Sequence, residues 1–443
     1  MFHIRMSQKA HLTSQQKKVL FLTSLGGILE YYDFIIYIYL ANVIEKLFFP
    51  SGTPFVATLE TLIVFSIGYL FRPLGGILFS HFGDRYGRKV VFLLTVLFMA
   101  IPAFGIALLP TVSQIGITAS VLLVLFRIMQ GLALGGEIPG AITFVAEHVD
   151  NNRRGLATAT LFFGINAGLL LGSFATMILT TMTTPATLYS YGWRVPFFVG
   201  GIFGILAVFL RRYLEETVAF SKLARSQLQR VPLITLLKHF RKNVVESALL
   251  VGLASVTIFL FLYWPHYLNQ YLGFPLAATL KINTLGILIF SFTLFLTGWL
   301  ADRFGYRTIY FIGVVLIILS AYPLFLLFTL HSLSLVIVSY VLFSIIFAFI
   351  TGAYPAILTT LFPTTVRYTG IATGYNLGYA IWGGLSPLIC TFLIFKLHSV
   401  LAPAFYLIFM AVALLIHFPF RFRHPRPLVV PAQTHRRQLK GAR

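Results

Sequence analysis

The chain has 443 residues, of which 58% are hydrophobic and only 10% charged, and its mean hydropathy is +0.88. Soluble domains carry about 25% charged residues, so a water-soluble fold is excluded and a polytopic, all-α membrane protein is implied. The net charge of +21 would suit a nucleic-acid binder, but the basic residues gather in alternate loops, as membrane orientation requires, and no nucleic-acid partner is expected.

Residues 1–18 form a basic cytoplasmic tail without the features of a cleavable signal peptide. Twelve apolar segments follow, at 19–44, 57–80, 90–110, 116–147, 155–180, 194–213, 244–268, 276–300, 308–330, 333–357, 368–396 and 400–420. Each has about 20 residues or more, enough to cross a bilayer as a helix. The alternation of a membrane barrel is absent. The loops bearing Arg85, Arg88, Lys89, Arg153, Arg154, Arg303, Arg307 and Arg367 fall on one side with the N-terminal tail, which puts both termini in the cytoplasm. The connection 214–243 is the longest and most polar. It divides a six-helix N-terminal bundle (19–213) from a six-helix C-terminal bundle (244–420), and a basic cytoplasmic tail (421–443) closes the chain.

The halves repeat. GDRYGRK at 83–89 returns as ADRFGYR at 301–307, each between the second and third helix of its half. Parallel six-helix repeats are a transporter plan. Glycines such as Gly83 and Gly87 permit a tight turn. Asp84, Arg85, Arg88, Asp302 and Arg303, with Glu147 and Arg154 of the next cytoplasmic turn, form a candidate latch that pairs in one conformation and separates in another.

RPLGGILFSHFGDRYGRK (72–89), RIMQGLALGGE (127–137), YGWRVPF (191–197) and LFPTTVRYTG (361–370) resemble the major facilitator superfamily. More narrowly, they resemble its metabolite:proton symporters, which include proline/betaine, shikimate, citrate and 2-oxoglutarate carriers. LEYYDF (29–34) fits the first-helix pattern of that family, with Tyr31 where Trp is usual. The resemblance implies two six-helix bundles around a central cavity, alternating access in a bacterial inner membrane, and helices 1 and 4 at the cavity wall. Residues 421–443 carry no heptad-bearing tail of the kind seen in some osmosensory betaine carriers, a departure that puts osmosensing in doubt.

Few charges lie deep in the spans: Glu30, Asp33 and Glu137 among the acids, Arg72 and Arg127 among the cations. An ionised group at mid-membrane costs about 2.5–3.5 kcal/mol on insertion scales, so each needs a partner or water. At 1.5 Å per residue, Asp33 lies about 21 Å in from the cytoplasmic face and Arg127 about 16 Å from the outer face. Both are near the middle of a core about 30 Å thick. An Asp33–Arg127 pair is therefore expected, with Glu30 one turn away and Glu137, deeper along helix 4, nearer Arg72. Protonation of Asp33 would release Arg127 for a substrate carboxylate; a permanent structural pair is the alternative.

The C-terminal half has no deep acid. It offers FLYWPHYLNQ (261–270), expected to break helix 7 at Pro265, and GYNLGYAIWGG (374–384). Tyr263, Trp264, Tyr267, Tyr375, Asn376, Tyr379 and Trp382, with Tyr37 of helix 1, are candidate substrate contacts, since aromatic faces attract ammonium groups; interfacial belt and helix packing compete as explanations. His266 is a second proton-carrier candidate, and Arg194 a second carboxylate candidate. Gly164, Gly168 and Gly172 form a small-residue ridge suited to close packing.

No P-loop, nucleophile–base set or metal-spaced cluster is visible, so neither an enzyme, a metal nor another cofactor is expected beyond a coupling ion, H⁺. The one cysteine, Cys390, forbids an intramolecular disulfide. The sequence thus points to a monomeric secondary transporter in the lipid bilayer, a proton symporter of a small carboxylate-bearing metabolite. An exporter or antiporter, and a non-transporting receptor or scaffold, are the alternatives.

Overall fold

The structure, a computed structural model, describes residues 24, 27–28, 31–32, 35–50, 53–86, 88–149, 153–211, 232–363 and 367–417. Glu30, Asp33, Gly87, both tails and most of the central loop lie outside the described residues, as do the side chains of Gly83, Asp84, Arg85, Arg88 and Glu147.

The chain is helical from end to end of its described parts. α1 closes with Ala41–Phe48; α2 is Pro54–Leu70, resumed as Arg72–Tyr86; α3 is Arg88–Leu108; α4 is Thr118–His148; α5 is Arg154–Met182; α6 is Arg194–Arg211. The second half has α7 at Arg241–Gln270, α8 at Leu276–Phe304, α9 at Tyr306–Phe328 and α10 at Leu333–Thr351, resumed as Tyr354–Leu361. α11 is Arg367–Gly378, a π-turn at Tyr379–Gly383 and Ser386–Leu397, and α12 is Ala402–His417. Among the described residues, eight helices are long and apolar enough to cross a membrane, or nine when the bent pair Pro185–Gly192 and Arg194–Phe209 counts as one span. Leu94–Leu108 and Ala402–His417 are shorter apolar helices, and α1 is only partly described.

The helical form follows from the solvent. Lipid offers backbone groups no hydrogen bonds, so each span must satisfy its own. Buried hydroxyls follow the same rule: Thr61 donates to the Ala57 carbonyl and Thr176 to that of Gly172, one turn back on their own helices. Large apolar side chains face outward instead, as at Leu319 and Ile416, 70% and 76% exposed.

One predicted detail is corrected. Pro265 does not break α7, which runs unbroken from Arg241 to Gln270 with the proline inside; neighbouring groups in a bundle can satisfy a freed carbonyl. The irregular segment lies in α11, at Tyr379–Gly383, where a π-turn meets a glycine pair. The glycine ridge of α5 does what its pattern predicts. A side chain at Gly168 would strike the Ile28 backbone, and one at Gly164 would strike Ser24. Glycines also let α2 and α4 touch backbone to backbone, at Gly75 against Leu132 and Gly135 against Arg72. That crossing fixes the relative placement of the two buried arginines.

Candidate functional site: two guanidiniums across a seam of aromatic rings

Arg127 of α4 and Arg72 of α2 are both fully buried. Arg127 lies nine residues past Thr118 and Arg72 eighteen past Pro54, so Arg72 sits about 13 Å deeper from the same end. Arg127 donates to Gln130 Oε1 at 2.8 Å, and its guanidinium lies 4.6 Å from the centre of the Tyr37 ring and 5.6 Å from that of Phe65. Tyr37 is anchored by its hydroxyl on the Thr61 carbonyl at 3.0 Å, which joins α1 to α2 beside Arg127. Asp33, the expected partner of Arg127, lies outside the described residues.

Arg72 is packed differently. Its guanidinium stands over the rings of Tyr379, Tyr69 and Tyr375, at 4.8, 5.4 and 5.6 Å. Tyr375 and Tyr379 stack on each other with centroids 4.5 Å apart. The rings form a continuous seam between the halves. Tyr37 stacks on Phe65, Phe65 meets Tyr69, and both Phe65 and Tyr69 meet Phe259 of α7, which reaches Tyr379. Phe65, Tyr69 and Phe259 were not singled out from the sequence, although Phe65, Tyr69 and Arg72 stand at i, i+4 and i+7 and so share one helix face. The expected Arg72–Glu137 pair is not formed. Glu137 accepts from Thr95 of α3 at 3.4 Å, while Arg72 is held by tyrosine rings.

The aromatic candidates divide. Tyr37, Tyr375 and Tyr379 lie on the seam. Asn376 donates to the Gly135 carbonyl at 2.7 Å and so joins α11 to α4. Tyr263 bonds with Thr391 of α11 at 2.9 Å, and the Trp382 ring packs on Gly252 of α7; both contacts are within the C-terminal bundle. Trp264 and Tyr267 are corrected outright. The Trp264 ring is buried among Phe261, Phe325, Phe328, Tyr340, Phe343 and Phe347, inside the C-terminal bundle. Tyr267 lies beside it against Phe325 and Phe328, and its hydroxyl donates to the Val400 carbonyl. Aromatic content alone does not distinguish core from cavity wall. Arg194 is also structural: it donates to the carbonyls of Ala107 and Leu109, which satisfies groups at the end of α3.

The halves are bonded at both ends of the seam. At the end away from the basic loops, Asn42 of α1 donates to Asn269 of α7 at 2.8 Å and its oxygen meets His266 Nδ1. Deeper along α2, beside Tyr69, Ser66 donates to the Gly384 carbonyl at 2.6 Å. His266 is thus a buried bridging residue. At the basic-loop end, Asp302 reaches from the second copy of the repeat to the first turn of α5. Its two oxygens accept from the backbone N–H groups of Gly155 and Leu156 at 2.7 and 2.8 Å. A carboxylate there satisfies donors that the helix itself cannot and meets the positive end of the helix dipole. Tyr368 donates to the Gly136 carbonyl nearby. Gly305, at φ +97°, makes the turn that follows Asp302, a conformation that favours glycine. Arg303 does not join the bridge; it is exposed over Trp299 and Phe304. Arg154 donates to the Ala146 carbonyl, within the N-terminal half.

Comparison with known proteins agrees with this architecture. Residues 23–387 match the model of the Major Facilitator Superfamily. The proline/betaine transporter of Escherichia coli (strain K12) is 32% identical over 438 residues, covering 96% of this chain and 85% of that protein. The glycine betaine/proline/ectoine/pipecolic acid transporter OusA of Dickeya dadantii (strain 3937) is 33% identical over 407 residues, covering 89% and 81%. Among solved structures, a D-xylose-proton symporter superposes with a TM-score of 0.72 at 18% identity, over 91% of this chain and 98% of that one. Buried charges on a seam between two six-helix halves, with bonds closing both ends, are the working parts of a carrier rather than of an enzyme, and the chain belongs to the Major Facilitator Superfamily.

Proposed function

We propose that the chain is a proton-coupled symporter that imports a small carboxylate-bearing solute, a zwitterionic osmolyte such as proline or glycine betaine, by alternating access. The observation that carries this is Arg127: a fully buried guanidinium held against Tyr37 of α1 at the seam between the halves. The names of the relatives favour a zwitterion over an organic acid. The proposed setting is a bacterial inner membrane, with both termini in the cytoplasm, a single chain as the working unit, and no cofactor or nucleic-acid partner.

Asp33 precedes Tyr37 by four positions, the spacing that brings two side chains to one face of a helix. In the proposed cycle Asp33, with Glu30 beside it, takes a proton from outside and releases it inside, and its charge state sets what Arg127 interacts with. Binding of solute and proton favours the state closed at both ends. Opening toward the cytoplasm then requires the Asp302 bridge to α5 and the Asn376 and Tyr368 bonds to α4 to part. Opening outward requires the Asn42–His266–Asn269 cluster to part.

The test is uptake of glycine betaine and proline into proteoliposomes under an imposed pH gradient. Accumulation should follow the gradient, and Asp33→Asn should abolish it while leaving the protein inserted. Gradient-driven accumulation by Asp33→Asn equal to that of the parent removes Asp33 from coupling. Efflux against the gradient would establish the antiport alternative.

A further inference from the structure

Arg72 raises a problem that the coupling scheme does not solve. It is fully buried, and none of its three guanidinium nitrogens has a hydrogen-bond acceptor among the described residues. The group stays charged in any protein, and a buried charge without an acceptor is costly. The three tyrosine rings relieve only part of this. They attract the cation through their faces, whereas the guanidinium N–H groups point outward in its own plane. The rings set the orientation of the fork and leave its donors unused.

Other buried donors stand in the same place. The hydroxyl of Tyr375, whose ring faces Arg72, has no hydrogen-bond partner among the described residues. Tyr354 of α10 likewise has no partner at full hydrogen-bond geometry, although its phenol lies close enough to those of Tyr375 and Tyr379 for the three hydroxyls to interact with one another. These residues come from opposite halves: Arg72 and Tyr69 from the N-terminal bundle, Tyr354, Tyr375 and Tyr379 from the C-terminal one. One turn beyond Arg72, the Asn376 bond to Gly135 closes the basic-loop end.

We propose that Arg72, with the hydroxyls of Tyr354 and Tyr375, is the subsite that binds the carboxylate of the transported solute, and that Arg127 is reserved for coupling. This rests on the symport assignment for the identity of the solute but not for the existence of the anion site. A carboxylate fits because it accepts two parallel N–H bonds from one guanidinium. The ring faces are already covered by Arg72, so a solute ammonium would project away from this cage, toward the outer rings of the seam. A carboxylate bound here bridges the halves directly above the bonds that close the basic-loop end. It therefore stabilises the closed state, and opening of the basic-loop end parts Arg72 from the tyrosines of the other half and so frees the carboxylate.

The experiment uses the full chain in lipid nanodiscs and reads both equilibrium binding and the thermal midpoint, since a ligand of the folded state raises the midpoint. The probes are glycine betaine, choline (the same ammonium without the carboxylate), acetate and, as controls, acetamide and sodium chloride. The parent should bind glycine betaine at least about tenfold more tightly than choline, and acetate should raise its midpoint where acetamide and chloride do not. Arg72→Gln should weaken glycine betaine at least about tenfold and remove the acetate effect, and Arg72→Lys should lose most of the same affinity because the planar fork is gone. The double variant Tyr354→Phe/Tyr375→Phe should weaken binding about fivefold, and it decides the matter if neither Arg72 variant folds. Unchanged affinity and an unchanged acetate effect in these variants overturn the proposal, as does equal protection by chloride. An acetate effect that depends on Arg72 in a protein that binds no glycine betaine upholds the anion site and instead refutes the choice of solute.

Discussion

The two halves share a helix plan and a repeated turn, yet they divide the chemistry unevenly. The N-terminal bundle holds the buried charges: Arg72, Arg127 and Glu137 are all at most 4% exposed. The described C-terminal helices place their acids near the ends instead, with Glu246 paired to Arg307 at 3.5 Å and Asp302 in the last turn of α8. What the C-terminal half adds to the seam is rings and amides: Phe259, Tyr375, Tyr379 and Asn376. One half carries charge and the other a neutral, polarisable wall. Such a division lets a carrier change its charge state on one side of the seam without rebuilding the other.

The strongest way to break this comparison is to remove charge from the N-terminal half. Arg127→Gln should lower gradient-driven accumulation about a hundredfold or more, because a buried partner would lose its counter-charge. Equilibrium binding of glycine betaine should change less than about threefold if Arg72 holds the carboxylate. Flux and binding measured on one preparation separate the two effects. Equal loss of both would merge the roles of the two arginines.

Asp302 is the exception in the C-terminal half, an acid that crosses to the other bundle. Asp302→Asn keeps the shape but removes the charge that complements the start of α5, an interaction of about 1–2 kcal/mol. That should shift the population toward opening at the basic-loop end by about tenfold. The shift can be read by labelling Ala159→Cys, which is buried beside Gly298 of α8 in the closed state. Background should be small because Cys390 is buried. Labelling that is unchanged by Asp302→Asn would reduce the bridge to a static contact.

The fold was legible from the sequence because lipid imposes a simple rule, and runs of apolar residues report the spans almost directly. The boundaries agree within a few residues from α4 onward, from Thr118–His148 against 116–147 to Ala402–His417 against 400–420. The repeat located Asp302, although not its partner, since a backbone acceptor set such as Gly155 and Leu156 leaves no trace in side-chain pattern. The site was less legible. The buried cations stood out because charge is rare in a span, but which way a helix turns its rings depends on neighbours brought together only by folding. Trp264 and Phe259 lie on the same helix and look alike in sequence. One faces α9 and α10, and the other faces α2. Phe65, Tyr69 and Arg72 had a usable signal in their spacing, hidden because Arg72 was matched to Glu137 by depth alone.

The smallest expected effect on transport sharpens the comparison most, because it separates ring from ring within the C-terminal half. Trp264 is enclosed by aromatic side chains of α7, α9 and α10, and among the described residues its ring contacts all lie within the C-terminal bundle. Trp264→Phe removes part of a large ring from a packed core, so it should cost about 1–3 kcal/mol of stability through the space left behind. Affinity and coupled flux per folded molecule should stay within about twofold. Phe259→Leu is the matched change on the other face of α7: it removes the ring that touches Phe65, Tyr69 and Tyr379. Its stability cost should be similar, but it should also alter solute affinity by several-fold, about the worth of one or two aromatic contacts. Thermal midpoints paired with binding isotherms for both variants test this. If Trp264→Phe changes affinity as much as Phe259→Leu does, the separation of core rings from seam rings fails, and with it the view that only one face of α7 meets the solute.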